Sequence, residues 1–343
     1  MKAKLLEQLI RGQNLSIEQS STVMNEIMDG DMSPSQFGSF VTALRIKGET
    51  VDEVAGMATV MRARSLKVSS QRSLVDTCGT GGDGSGTFNV STTAAFVVAG
   101  SGLSVAKHGN RAISSKSGSA DVLEKIGATI ELTPEQIEYC LSETRFAFMF
   151  AQTFHPSMKF AAIPRRELGI RTVFNILGPL TNPASAEFQV IGIGSPEVGG
   201  LMINVLKKLG TKRAMIVHGT DGLDEISLSA PTKTWELKND EIFENEISPE
   251  DFGIKPKTKT SVNREISVSG IEESANVLTD VLSGESGSAR DITILNAAAA
   301  IYVSNSDISL LDASKIASDS IDSGAAKETM ESFIRLSNSF NNK

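Results

Sequence analysis

Cysteine is nearly absent from this chain: Cys78 and Cys140 are the only two in 343 residues, with no paired spacing. That excludes a disulfide scaffold and a thiolate metal site and fits a reducing cytoplasm. Aromatics are scarce as well, with one Trp and two Tyr, so the core must be mainly aliphatic. No apolar run approaches the ~20 residues that cross a bilayer. The opening Met1-Lys2-Ala3-Lys4-Leu5-Leu6-Glu7 reads as a polar helix, not as a secretory leader. Basic residues are outnumbered, 33 against 41 acidic, for a net charge of −8. A surface of that sign repels phosphate backbones and argues against nucleic acid as a partner. The three histidines, His108, His155 and His218, lack metal-ligand spacing, and no nucleophilic triad is visible. These absences point to a soluble, cytoplasmic protein with no membrane partner.

What is present changes character near residue 70. Before it the pattern is helical. Three capping boxes, Ser16 with Gln19, Ser33 with Gln36 and Thr50 with Glu53, mark helix starts, and Pro34 suits a first helical position. Phe37, Phe40, Val41 and Leu44 repeat at the spacing of one buried helix face. After Lys67, short strands alternate with helices: Leu74–Thr77, a helix from about Val90, Leu103–Ala106, a helix near Ala120–Ile126, a strand over Thr129–Leu132 and a capped helix from Thr133. Phe188–Ile193 and Ala214–Val217 follow as strands, Ser248–Asn263 as an irregular surface excursion, and the end from about Gly270 as mostly helix. Such alternation predicts an α/β domain with a mainly parallel central sheet.

The chemistry begins at Gly79-Thr80-Gly81-Gly82-Asp83-Gly84-Ser85-Gly86, a strand-to-helix link with five glycines in eight positions. Glycines let N–H groups approach an anion, and the helix N-terminus that follows adds its dipole. A tight turn needed only for packing does not require that many glycines. Gly79, Gly81 and Gly84 also satisfy G-x-G-x-x-G, yet a dinucleotide site wants an acid about 20 residues on. Here Lys107-His108-Gly109-Asn110-Arg111 stands after the second strand, which favours a second phosphate over a ribose hydroxyl. No Gly-Lys-Ser/Thr follows, so a Walker loop is excluded.

Two further clusters complete the pattern. Asp224-Glu225 in Gly222–Glu225, after the strand ending at Val217, suits a hard cation such as Mg²⁺ shared with substrate phosphates. By itself it reads equally well as an acidic helix start. His155-Pro156 with Pro164-Arg165-Arg166-Glu167 offers a bidentate grip on a second anion, although alone it reads more readily as a surface helix.

In order along the chain, GTGGD at 79–83, NVST at 89–92, KHGNR at 107–111, RREL at 165–168, NILGPLTNP at 175–183 and DGLDE at 221–225 resemble the anthranilate phosphoribosyltransferases, of the nucleoside phosphorylase/phosphoribosyltransferase-like family. The resemblance covers essentially the whole chain. It implies transfer of the phosphoribosyl group of 5-phosphoribosyl 1-diphosphate (PRPP) to the amine of anthranilate, in tryptophan biosynthesis. It implies that Gly79, Gly82, Asp83, Thr87, Asn89, Val90, Ser91 and Thr92 bind PRPP. Lys107, His108, Gly109, Asn110, Arg111, Ala112, Ile113, Ser114, Ser115 and Ser119 would continue that site. Ser91, Asp224 and Glu225 would ligate Mg²⁺. Gly79, Asn110 and Arg165 would hold anthranilate, with His155 lining the path to it. The implied architecture is a small helical domain, residues 1–70 completed by an insertion near 155–180, and an α/β phosphoribosyltransferase domain, residues 71–343. Homodimerisation through the helical domain is also implied. Some members carry a glutamine amidotransferase upstream; this chain starts directly with the helical segment, so none is expected here.

The rivals differ in testable ways. A pyrimidine nucleoside phosphorylase would bring an extra C-terminal domain and a lysine in its first loop, and a non-catalytic nucleic-acid-binding relative would need a basic surface. The sequence isoelectric point is near 5.1.

Overall fold

Capping chemistry sets the first part of the computed structural model, which describes residues 3–112 and 116–340. Helices α1 (Ala3–Ile10), α2 (Ile17–Asp29), α3 (Pro34–Lys47) and α4 (Val51–Arg64) form a bundle. Ser16, Ser33 and Thr50 each accept the backbone N–H three residues on, while Gln19, Gln36 and Glu53 reach back to the cap. Glu53 does more than cap. Its buried carboxylate also takes the Lys47 ammonium at 2.9 Å and the Leu15 N–H at 2.8 Å, tying together the links on either side of α2 and α3. Phe37, Phe40, Val41 and Leu44 are all buried.

The rest of the chain alternates: β1 (Leu74–Gly79), α5 (Val90–Gly100), β2 (Ser104–Gly109), α6 (Ser119–Lys125), α7 (Pro134–Thr144), β3 (Phe146–Phe150), α8 (Ala151–Phe154), α9 (Lys159–Leu168), α10 (Phe174–Leu177), β4 (Phe188–Gly192), α11 (Gly199–Lys208) and β5 (Arg213–Gly219). A hairpin of β6 (Thr232–Lys238) and β7 (Glu241–Ile247) follows, then α12 (Lys259–Ile266), α13 (Ile271–Leu282), α14 (Ser288–Ser304), α15 (Leu310–Asp322) and α16 (Ala325–Ser339). The strands form a seven-stranded sheet ordered β3-β2-β1-β4-β5-β6-β7. Pairings among the first five are parallel, and the last two strands run antiparallel.

Two local expectations change, and three strands that the sequence had not suggested, β3, β6 and β7, join the sheet. Thr129–Leu132 is not a strand: it buries Ile130 and Leu132 at alternate positions, which mimics strand periodicity, but among the described residues it joins no strand of the sheet, and Thr129 bonds instead to Ser337 and Asn338 near the chain's end. The edge strand is Phe146–Phe150, wholly buried and parallel to β2. The β6–β7 hairpin turns at Asn239-Asp240, both at positive φ (52° and 61°), as a two-residue hairpin turn requires. Ser248–Asn263 is more ordered than its polarity suggests, because Phe252 and Val262 are buried and α12 begins at Lys259.

The sheet separates two apolar clusters, and its alternation shows how: Val190 belongs to one, and the next residue, Ile191, to the other. The first cluster contains α5, α14 and α16. The second joins the α1–α4 bundle to α11 and the opposite sheet face, where the Trp235 ring lies directly against Gly199. Ala161, Val173 and Phe174 belong to this second cluster as well. The chain runs outward from β1 through β2 to β3 and then returns to the other side of β1 as β4. Open α/β sheets bind ligands at the carboxyl ends of the strands where such a reversal occurs.

Candidate active site

Gly79 and Gly192 face each other at that reversal, as partners at the ends of β1 and β4. Their lack of side chains is a spatial requirement. A Cβ on Gly192 would run into the Asp224 main-chain carbonyl, and one on Gly79 would meet Asp224 Oδ2 at 3.1 Å. Asp224 therefore occupies the space between two strand ends. From Gly79 the loop rises through Gly81, Gly82, Gly84 and Gly86, all in the left-handed region (φ 62° to 78°). Its first limb is held by Thr80 N–H on the Gly192 carbonyl (2.9 Å) and Gly81 N–H on Asp224 Oδ2 (3.0 Å). Its second limb is held by Val268 N–H on Gly86 O, Phe88 N–H on Ile266 O and a bridge between Thr87 and Ser267.

Asn89 precedes α5 and joins two loops. Its amide donates to the Ser117 carbonyl at 2.9 Å, and its Oδ1 accepts from Thr92. Val90 is buried at the helix start. Beneath this helix end lies Lys107, almost fully buried, its ammonium bonded to the Thr77 carbonyl and at 3.3 Å to Ser91 Oγ. Burial pushes the Lys107 pKa down, while Asp76 and Glu225 pull it back. Lys107 thus supplies positive charge from the floor rather than from an exposed loop.

Three carboxylates crowd the opposite side. Burial, and then the Asp83 carboxylate, raises Asp224 to about 7. Burial, and then Asp224, raises Glu225 well above the usual carboxylate range, against the pull of Lys107 and a bond from Ser91 N–H. Crowded acids with oxygen donors beside Ser91 have the chemistry of a hard-cation seat. Among the described residues no three His, Cys, Asp or Glu side chains converge on one point. Mg²⁺ does not need them, since it takes one or two carboxylates and shares its other positions with phosphates and water.

The second loop is divided. Asn110 accepts from Arg111 N–H and from Gln152 Nε2 through Oδ1, and its carbonyl accepts from Ser119 Oγ at 3.3 Å. The Arg111 guanidinium is engaged by Glu124 and Asp121 of α6, so it reaches a phosphate only by releasing them. Ala112 N–H bonds Asp121 Oδ2 at 3.0 Å. A Cβ on Gly109 would strike Ser119 Oγ and the Phe148 ring. Ile113, Ser114 and Ser115 lie outside the described residues.

His108 and His155 are buried with ring centroids 5.1 Å apart. Burial pushes His108 down to about 3 and His155 to about 4, so both rings are neutral at pH 7. His155 Nε2 meets the Thr181 carbonyl at 3.1 Å, while His155 Nδ1 and His108 Nε2 are buried without a partner. Arg165 lies half-buried over the Phe174 ring, 5.4 Å from its centroid, its pKa lowered by desolvation.

Three contributors were not singled out from the sequence. Asn296 grips Ile226, taking its N–H at 2.9 Å and donating to its carbonyl at 3.3 Å, and so fixes the residue after Glu225. Its signal was a lone amide in an apolar helix. Asn182, within the NILGPLTNP segment, joins Asp76 to the Ala106 carbonyl beneath the site. Arg171 reaches the glycine loop from the α9–α10 link.

Comparison with known proteins accords with this geometry. Residues 71–327 match the glycosyl transferase family a/b domain, and residues 3–65 its helical bundle domain. An anthranilate phosphoribosyltransferase of Dehalococcoides mccartyi is 49% identical over 333 residues, covering 96% of each chain. The crystal structure of anthranilate phosphoribosyltransferase from Thermus thermophilus aligns with a TM-score of 0.91 at 38% identity, over 97% of this chain and 99% of that one. The enzyme of Saccharomyces cerevisiae in complex with PRPP and Mg aligns with a TM-score of 0.89 at 28% identity, over 99% of both chains.

Proposed function

The chain belongs to the glycosyl transferase family, among the anthranilate phosphoribosyltransferases, and on that premise we propose how its residues carry out the reaction. The enzyme transfers the phosphoribosyl group of PRPP to the amine of anthranilate, releasing diphosphate and giving N-(5-phosphoribosyl)anthranilate for tryptophan biosynthesis, with Mg²⁺ as cofactor. One observation carries the residue assignment: a glycine loop, a buried lysine and a crowded acid pair meet where the strand order reverses.

Gly79, Gly82, Asp83, Thr87 and Asn89–Thr92 bind the phosphates, with backbone N–H groups and the α5 terminus as donors. Residues 107–112 and Ser119 extend the cradle, and residues 113–115 keep the role their motif implies. Ser91, Asp224 and Glu225 hold Mg²⁺, which when bound offsets charge on the diphosphate. Lys107 stabilises the same developing charge from below. Arg165 pairs with the anthranilate carboxylate, Asn110 orients the ring, and the neutral His108–His155 pair lines the approach. An aromatic amine is already neutral at pH 7, so alignment with C1 replaces a general base.

Residues 1–70 with the segment near 155–180 form the helical domain, supported by the shared cluster of Ala161, Val173 and Phe174 with α1–α4; residues 71–343 form the α/β domain. Exposed Ile10, Ile46, Phe160, Ile163 and Ile170 on that side support a homodimer through the helical domain. No helix among the described residues is long and apolar enough to cross a membrane, which agrees with a cytoplasmic location. Mixing the protein with PRPP, Mg²⁺ and anthranilate should give PRPP-dependent loss of anthranilate fluorescence. An unchanged signal would overturn this reading.

A further inference from the structure

Arg171 is not among the substrate or metal ligands of the site, yet its side chain crosses from the helical side onto the glycine loop. Its Nη1 donates to two successive carbonyls, Gly81 O and Gly82 O, each at 3.2 Å. A Cβ on Gly82 would strike that same nitrogen, so the loop is glycine where the guanidinium lies on it. The Arg171 carbonyl is in turn held by the Arg45 guanidinium of α3. Gly81 is gripped on both sides, its carbonyl by Arg171 and its N–H by Asp224 Oδ2. An unbroken series of hydrogen bonds therefore runs from α3 through Arg171 and Gly81 to the acid pair.

Peptide planarity gives this contact a direction. In a trans peptide the C=O and the following N–H point opposite ways. Fixing the Gly81 and Gly82 carbonyls on the helical side turns the N–H groups of Gly82 and Asp83 to the other face. Among the described residues neither N–H has a partner.

We propose that Arg171 is a positioning residue for PRPP: it sets the glycine loop so that the Gly82 and Asp83 N–H groups face the diphosphate, and it links substrate affinity to the seating of the helical bundle. This rests on PRPP being the ligand of the loop. Arg165, six residues earlier, serves anthranilate, so the two arginines divide the substrates between them.

The test compares wild type, Arg171→Ala, Arg171→Lys and Arg45→Ala in steady-state kinetics with each substrate varied. Calorimetric titration with inorganic diphosphate and Mg²⁺ gives a second readout. Losing charge-assisted bonds to the loop should raise the PRPP KM of Arg171→Ala roughly tenfold or more. Diphosphate affinity should weaken in parallel, while the anthranilate KM stays within about twofold of wild type, as for an interaction made with one substrate only. Lysine should restore part of the loss, and Arg45→Ala should show the same selectivity at smaller size. An unchanged PRPP KM and diphosphate affinity, or an equal rise in both substrate constants, would overturn the proposal and leave Arg171 a general structural contact. A wild-type protein that fails to consume PRPP would overturn the assigned function itself, and this proposal with it.

Discussion

Arg165 and the acid pair divide two tasks between them, one at the second substrate and one at the metal. Arg165 is already half desolvated over Phe174, so a carboxylate joining it gains a charge-assisted pair at little further cost in burial. Arg165→Ala should raise the anthranilate KM by roughly 10- to 150-fold, corresponding to about 1.5–3 kcal/mol, with the PRPP KM nearly unchanged. Steady-state kinetics in both substrates checks this; an effect confined to PRPP would place Arg165 on the phosphates. Asp224→Asn combined with Glu225→Gln should abolish Mg²⁺-dependent turnover and the heat of Mg²⁺ titration in the presence of PRPP. The buried histidines give a pH signature of their own. Their folded values, about 3 and about 4, lie below the ordinary 6.5, so between those limits the unfolded chain binds more protons than the folded one. Their contribution is complete above about pH 6.5 and is lost as pH falls toward about 4. Urea midpoints should therefore drop from pH 7 to pH 5, and His155→Gln should make that drop shallower; an unaltered slope would mean His155 takes up its proton without cost.

At the scale of elements, local chemistry was legible and pairing was not. The caps at Ser16, Ser33 and Thr50 could be read because a capping box is complete within four residues. The glycine loop was legible for the same reason. Thr129–Leu132 misled because alternate burial is only half of a strand, and the other half, a hydrogen-bonded strand alongside, is decided by residues far away in sequence and is not found there among the described residues. Phe146–Phe150 was overlooked because an unbroken apolar run has no period. The hairpin could have been found from Asn239-Asp240. Gly192 shows how closely these elements meet: its missing side chain gives room to a backbone carbonyl, which cannot swing aside as a side chain can. Gly192→Ala should cost about 1–3 kcal/mol of stability through forced backbone movement and should depress activity more than stability. Thermal unfolding and turnover measured together check it; a fully active variant would mean the Asp224 loop is free to shift.

At the scale of the whole molecule, the site draws on segments near residues 80, 110, 165 and 224, and no single stretch reveals it. The sequence yielded the parts as an ordered set of motifs, whereas the strand order brings them to one end of one sheet. It did not reveal that Lys107 works from beneath, that Arg111 is held by α6, or that Asn296 and Arg171 secure the loops, since each depends on a partner distant in the chain. The exposed apolar residues of the helical side bear on assembly. Ile46→Glu with Ile163→Glu should convert a dimer to a monomer in sedimentation analysis while leaving the unfolding midpoint within a few degrees, because both side chains are mostly exposed. A dimer that survives both charges would move the interface elsewhere. The Trp235–Gly199 contact has a practical consequence. The only indole in the chain is buried on the sheet face shared with the helical bundle, so the intrinsic tryptophan emission has a single origin. Any shift in its colour on adding PRPP reports that layer alone, giving a label-free optical gauge of whether the bundle reseats when substrate arrives.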